Sequence, residues 1–184
     1  MKKIKIIAIA GKSGAGKDSI LSSAIKLNPQ LNPIISCTTR PKRDNETEGK
    51  DYHYLTNEEF AVKLLNGDML EATSFNGWCY GTSYSTLDAN KINIGVFNPE
   101  GLEILKDNPN IILKIFYIDV SNKERLIRQL NREKEPNIEE IIRRYETDEK
   151  DFRSFVSEFN CEVLKNLTRK DFTASVQRIA GQIF

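Results

Sequence analysis

GKSGAGKDSI, residues 11–20, follows the apolar run IKIIAIA, residues 4–10. Gly11, Gly16 and Lys17 satisfy the spacing G-x-x-x-x-G-K of a phosphate-binding loop set between a strand and a helix. Such a loop works because glycines let successive backbone N–H groups turn inward toward oxygen. The following helix adds its positive end, and the lysine neutralises the terminal phosphates. Gly14 supplies a further flexible position. Position 18, where a hydroxyl normally helps to hold Mg²⁺, is Asp18. A carboxylate there has two readings. It is an oxygen ligand for Mg²⁺, directly or through water, or it is a helix-start charge, with Ser19 taking the hydroxyl role.

Outward from the loop, short apolar runs recur at KIKIIAIA, PIISCT, INIGVF, IILKIFYID and EVLKN. Continuous runs suit parallel strands covered on both faces. Helical patterns lie between most of them. Ile20, Leu21, Ala24 and Ile25 make one stripe, and Ile138, Ile141, Ile142 and Tyr145 make another. Capping boxes are expected at Thr56 with Glu59 and at Ser121 with Glu124, and Thr168 is expected to cap the last helix. This alternation predicts an α/β fold with a right-handed parallel sheet. Residues 36–82 break the pattern: they are rich in Thr, Arg, Asp, Tyr and Gly, with one clear helix. They read as an insertion that carries its chemistry on loops.

Composition narrows the function. Lys plus Arg total 27 against 26 for Asp plus Glu, which argues against a dedicated nucleic-acid binder. No apolar run approaches the ~20 residues of a membrane span, and the basic start reads as a first strand rather than a signal peptide. Cys37, Cys79 and Cys161 are scattered without metal-ligand spacing, which fits free thiols in a reducing cytoplasm. The lone His53 reads as a packed or partly exposed side chain.

SCTTRPKRDNETEGKDYHYLT, residues 36–56, and GDMLEATSFNGWCYGTS, residues 67–83, carry S-x-T-T-R-x-x-R, G-x-D-Y and E-x(8)-Y-G. With the loop they closely resemble guanylate kinases, which phosphorylate GMP with ATP. The resemblance implies a P-loop three-layer α/β fold with a five-stranded parallel sheet. Residues 1–35, 83–125 and 146–184 would form the core, 36–82 a nucleoside-monophosphate-binding region and 126–145 a short helical lid. It also implies roles. Gly11, Ser13, Gly14, Ala15, Gly16, Lys17, Asp18 and Ser19 would bind ATP, with Asn166 near the adenine. Arg40, Arg43, Tyr52 and Tyr80 would grip the acceptor phosphate, and Glu46 would orient an arginine. Ser36, Glu71 and Thr82, beside Gly81, would read guanine. Lys17, Arg43, Arg128, Arg132 and Arg143 would surround the transferred phosphoryl group, whereas Arg144 reads as part of a solvated face. Two arginines three apart straddle one phosphate with forked donors, which lysine cannot do.

The sequence departs from the family at Asp18, and again at INIGVFNPEG. There Val96, Asn98 and Glu100 stand where family members have two aspartates and a glutamine, and the stretch before this strand is shorter than usual. Acidic groups are lost at the strand end and one is gained in the loop, so Asp18 is the candidate Mg²⁺ ligand. The expected function is ATP-dependent phosphorylation of GMP or dGMP. The alternatives are a deoxynucleoside monophosphate kinase of relaxed base specificity, a non-catalytic protein-binding module, or a kinase of another acceptor such as a ribose phosphate. Expected partners are small nucleotides only, with neither nucleic acid nor membrane, in a cytoplasmic monomer or homodimer.

Overall fold

Strand β1 (Ile4–Ala10) explains why the apolar run is continuous. Ile6, Ala8 and Ala10 point to one face of the sheet and Ile7 and Ile9 to the other, and all five are fully buried. A strand's side chains alternate between faces, so a strand covered on both sides favours apolar residues at successive positions. The computed structural model describes every residue except Met1, Lys2, Asn45, Asn76 and Glu133. Those positions, within the expected first segment, insertion and lid, lie outside the described residues.

β1 is central in a five-stranded sheet. It pairs in parallel with Ile92–Val96 and with Ile111–Asp119, while Leu31–Pro33 and Cys161–Lys165 form the edges. In chain order the strands are β2 (Leu31–Pro33), β7 (Ile92–Val96), β8 (Ile111–Asp119) and β9 (Cys161–Lys165), and the sheet runs β2-β7-β1-β8-β9. One face is covered by α1 (Lys17–Leu27) and α7 (Arg169–Ala180) through Ile20, Ala24, Val176 and Ile179. The other takes Leu102 and Leu105 of α3 (Pro99–Lys106), Phe155 of the short α6 (Phe155–Glu158), and Phe159. Each fully buried Ile or Leu contributes roughly 1.5–3 kcal/mol, so these two clusters make the core the strong part of the molecule. Among the described residues no helix is long and apolar enough to cross a membrane.

Three expectations are corrected. PIISCT is not one strand. β2 ends at Pro33, Ile34 donates one more backbone bond to Ile94 at 2.8 Å, and the chain then crosses to a second sheet as β3 (Cys37–Thr38). Ile34 and Cys37 are both buried, so one apolar run serves two layers. Nor is the insertion mainly loops: β4 (His53–Tyr54), β3, β6 (Trp78–Ser83) and β5 (Met69–Phe75) form a four-stranded sheet in that order. The β5–β6 hairpin turns at Gly77, whose φ is 78°. The sequence signal was the Asn-Gly pair at 76–77, typical of tight hairpins. Helix α2 (Asn57–Leu65) rests on this sheet through buried Phe60 and carries the reciprocal Thr56–Glu59 capping box. Finally, α4 (Asn122–Leu130) has half a box. Ser121 accepts from the Glu124 amide, but the Glu124 carboxylate is taken by Arg128 Nε at 2.8 Å. Thr168 caps α7 as expected. Helix α5 (Ile138–Asp151) is the long helix foreseen after Pro136.

Candidate active site

The loop leaves β1 at Gly11 and enters α1 at Lys17, with Gly14 and Gly16 at φ values of 81° and 86°. Space excludes side chains as firmly as the dihedrals do. A Cβ on Gly14 would lie 2.6 Å from the Arg125 carbonyl oxygen, and one on Gly16 would lie 2.7 Å from Asn166 Nδ2. No side chain caps the first turn of α1, so its positive end is left for an anion. Lys17 Nζ donates to the carbonyls of Gly11 and Lys12 at 2.7 and 3.2 Å, which folds it back over the loop. Burial pushes its pKa down. Asp18 and Asp148 oppose that shift, while Arg125 and Arg144 add to it. A desolvated cation gains most from an incoming polyphosphate, which replaces the solvation it has lost.

Ala15 is fully buried and Ser13 half-buried, whereas Asp18 and Ser19 are exposed at the loop's mouth. Asp18 makes no side-chain cap to α1. Its charge reaches Tyr52 of the insertion, where burial first and Asp18 second raise the phenol's pKa. Asn166 donates to the Ala15 carbonyl at 2.8 Å, and its own carbonyl accepts from Arg128 Nη2 at 2.7 Å. Asn166 thus braces the loop and ties it to α4.

In the insertion Glu46 is expected to orient an arginine; the structure makes that arginine Arg40 and builds a network on the pair. Arg40 Nη2 donates to both Glu46 oxygens at 2.7 and 2.9 Å. Glu46 also accepts from the Arg43 amide at 2.9 Å and the Tyr54 hydroxyl at 2.7 Å. Burial works to raise the Glu46 pKa, but these donors overcome it and hold the carboxyl at about 2. Tyr54 is pushed up to about 12, by burial and then by Glu46. The Arg40 guanidinium lies 5.5 Å over the Tyr52 ring, and Tyr52 meets Tyr80 edge-on at 6.1 Å.

Glu71 and Thr82 are buried side by side on β5 and β6. Burial lifts the Glu71 pKa to about 7; Thr82 pulls it down and Glu100 pushes it up. Among the described residues Thr82 Oγ1 is buried without a well-formed hydrogen bond. It is near enough to Glu71 to act on the carboxylate, yet its geometry leaves it open to a ligand. A Cβ on Gly101 would lie 3.0 Å from Glu71 Oε2, so the carboxylate is seated against the start of α3. Gly81 is equally confined: a Cβ there would lie 2.6 Å from the Glu71 carbonyl oxygen. Half-buried Ser36 accepts from the His53 amide through its carbonyl. His53 is partly exposed beside Glu48, as expected.

The departures at the strand end are absorbed locally. Val96 closes β7 opposite Ile9. Asn98 caps α3 by accepting from the Gly101 amide at 2.8 Å and donates to Thr73 Oγ1 at 3.1 Å. Its amide needs both a donor and an acceptor, and both partners are present.

The arginines divide in space. Arg43 of the insertion, with Arg132 and Arg144, lines one cleft of about 210 Å³ together with Glu140. Arg144, read from sequence as a solvated face, is therefore at the site: it pairs with Glu140 at 2.7 Å and its charge is felt at Lys17. Arg143 also pairs with Glu140, but it lies 5.2 Å over the Phe75 ring and lines a separate cavity of about 390 Å³ with Asn98, Glu100 and Asp151. Sequence reading missed this divergence, because adjacent helical residues differ by 100° in direction and only the neighbours decide which one faces the site. It also missed buried Arg125, whose helical spacing looks like any surface arginine. Among the described residues no group of three or more His, Cys, Asp or Glu is placed to hold a metal.

The family model for guanylate kinase matches residues 3–181. The guanylate kinase of Thermotoga maritima is 42% identical over 93 residues, which are 50% of this chain and 44% of that one. The guanylate kinase of Syntrophotalea carbinolica is 32% identical over 155 residues, covering 82% of this chain and 73% of that one. The crystal structure of guanylate kinase from Anaplasma phagocytophilum shares the fold, with a TM-score of 0.67 at 19% identity, over 98% of this chain and 84% of that one. The loop, the insertion motifs and the family match agree over almost the whole length, and the chain belongs to the guanylate kinase family.

Proposed function

We propose that this protein transfers the γ-phosphoryl group of ATP to GMP or dGMP, giving ADP and the nucleoside diphosphate. The observation that carries the reading is the shared cleft of Arg43, Arg132 and Arg144, where the insertion and the lid bring cations to one place beside the loop of Lys17. Phosphoryl transfer asks little of covalent chemistry and much of alignment and positive charge. An oxygen of the acceptor phosphate attacks the γ-phosphorus in line, and the bond to the β–γ bridging oxygen breaks. Lys17 takes up the charge that develops on the donor side. Arg43, Arg128, Arg132 and Arg144 serve the equatorial oxygens, and Arg143, whose charge interacts with Tyr80, lies on the acceptor side.

Arg40, Arg43, Tyr52 and Tyr80 hold the acceptor phosphate, and Glu46 fixes the Arg40 fork. Ser36, Glu71 and Thr82 read the base. Glu71 in its ionised form accepts from guanine N1–H and the 2-amino group, a donor pair that adenine lacks. Mg²⁺ bound with the nucleotide would neutralise the β and γ oxygens. Asp18, exposed at the loop's mouth, is the carboxylate suited to meet it while the ion keeps several waters. We place the acceptor in the region 36–82 and the closing segment at 126–145, around a core of 1–35, 83–125 and 146–184. The expected setting is the cytoplasm, as a monomer or homodimer without nucleic acid. The test is a coupled ADP assay with ATP, Mg²⁺ and GMP, dGMP, AMP, dCMP, dTMP or a pentose bisphosphate in turn. Preference for the guanine acceptors is expected; turnover confined to a pyrimidine or sugar phosphate overturns the reading.

A further inference from the structure

Arg125 heads the fully buried side chains by size, with 1% of its side chain exposed. Its Nε donates to the Ser13 carbonyl of the phosphate loop at 3.0 Å. Nη1 donates to Asn122 Oδ1 at 2.9 Å and Glu149 Oε1 at 3.1 Å, and Nη2 to Asp148 Oδ2 at 2.9 Å. The guanidinium lies 5.1 Å over the Tyr145 ring. Both carboxylates of α5 also reach the loop directly: Asp148 Oδ2 accepts from the Ser13 amide at 2.7 Å, and Glu149 Oε1 from Lys12 Nζ at 2.7 Å. Gly14 packs on the Arg125 backbone. Three segments distant in sequence therefore share one ionic junction directly behind the loop.

A buried ion cluster is a weak source of net stability, because desolvation of each charge offsets the attraction, and apolar residues of equal volume often do as well. What the cluster does supply is fixed direction. The junction lies one helical turn from each set of lid arginines: Arg128 is three residues beyond Arg125 on α4, and Arg144 is four residues before Asp148 on α5. At 1.5 Å per residue that is about 4.5 Å on α4 and about 6 Å on α5, too short for a displacement at the junction to be lost before it reaches the arginines.

We propose that Arg125 and Asp148 form a positioning latch, which sets the phosphate loop and the lid arginines in register for phosphoryl transfer. The proposal rests on the kinase reading given above. Neither residue touches substrate; both act through the loop backbone and through Arg128 and Arg144. The latch also makes loop and lid sense each other, since a ligand that shifts Ser13 pulls on Asp148 and so on α5.

Two variants separate this role from plain stability. Asp148→Asn keeps the volume and an acceptor for the Ser13 amide but removes the charge, and Arg125→Lys keeps the charge but loses the fork. With ATP and GMP, each is expected to lower kcat roughly tenfold to a hundredfold, the scale of a small misplacement of reacting groups, with both KM values within threefold of wild type. In parallel, amide exchange is followed over residues 12–14 and 141–149 with and without a non-hydrolysable ATP analogue. The analogue should protect α5 in wild type and fail to do so in Asp148→Asn. A fall in Tm with kcat within twofold of wild type overturns the latch, and so does undiminished protection of α5 in the variant. If Arg125→Lys does not fold, Asp148→Asn decides alone. Absence of wild-type turnover with GMP would sink the kinase reading, while the exchange measurement still judges the latch.

Discussion

The parallel sheet and the insertion sheet show two ways of holding strands together. In the first, β1 has seven residues and dry apolar packing on both faces, and its pairings with β7 and β8 extend along most of its length. In the second, β3 and β4 are two residues long, and much of the binding comes from Arg40, Glu46, Tyr54 and the Arg43 amide. Area-proportional burial makes the core stable and indifferent to small chemical detail. Directional polar bonds make the insertion dependent on each donor and acceptor.

This contrast is broken first at the loop, where the core meets the chemistry. Lys17→Ala is expected to reduce turnover on the order of a thousandfold and to leave Tm near wild type, because the lysine's bonds are to two loop carbonyls. A coupled assay beside a thermal melt checks both halves. Loss of the fold would show the lysine to be structural. Next comes Asp18→Asn: if the carboxylate meets Mg²⁺, turnover falls on the order of a hundredfold and the Mg²⁺ concentration for half-maximal rate rises. Near-native turnover would reduce Asp18 to a helix-start charge.

Glu71 sharpens the comparison, because here function and stability pull in opposite directions. Its folded pKa of about 7 lies above the ordinary 4.5, so the folded state binds the extra proton between those values. The sign follows: stability drawn from neutral Glu71 is complete below pH 4.5 and is lost as pH rises through 7. Glu71→Gln should therefore stabilise the protein at pH 8 by up to about 3 kcal/mol, read by urea denaturation. The same variant should lose tenfold or more in GMP affinity. In wild type the dependence reverses for the ligand: the acceptor KM should rise as pH falls through 7, since the ionised form accepts from guanine. A flat acceptor KM from pH 6 to 8 would remove Glu71 from base reading. The smallest effect is expected for Glu46→Gln. Arg40 and Tyr54 keep a partner but lose its charge, so the acceptor KM should rise by about tenfold, the worth of a charge-assisted bond, with little change in kcat or in core stability.

Legibility followed the same division. The strands of the core sheet announced themselves because burial on both faces favours continuous apolar runs, and β8 falls on IILKIFYID to the residue. Thr56 and Thr168 marked helix starts because capping is local. In the insertion the motifs gave no hint of the sheet. Two-residue strands have no periodicity to read, and β3 was hidden in a run that also feeds the core.

From sequence alone came the phosphate loop and the α/β core, which rest on local spacing and on apolar continuity. Tertiary structure alone decided the rest. It placed Arg144 rather than Arg143 in the cleft with Arg43 and Arg132, raised the Glu71 pKa to about 7, and buried Arg125 behind the loop. The reason is physical: direction, dielectric and partner are properties of a side chain's neighbours, and those neighbours come from distant parts of the chain.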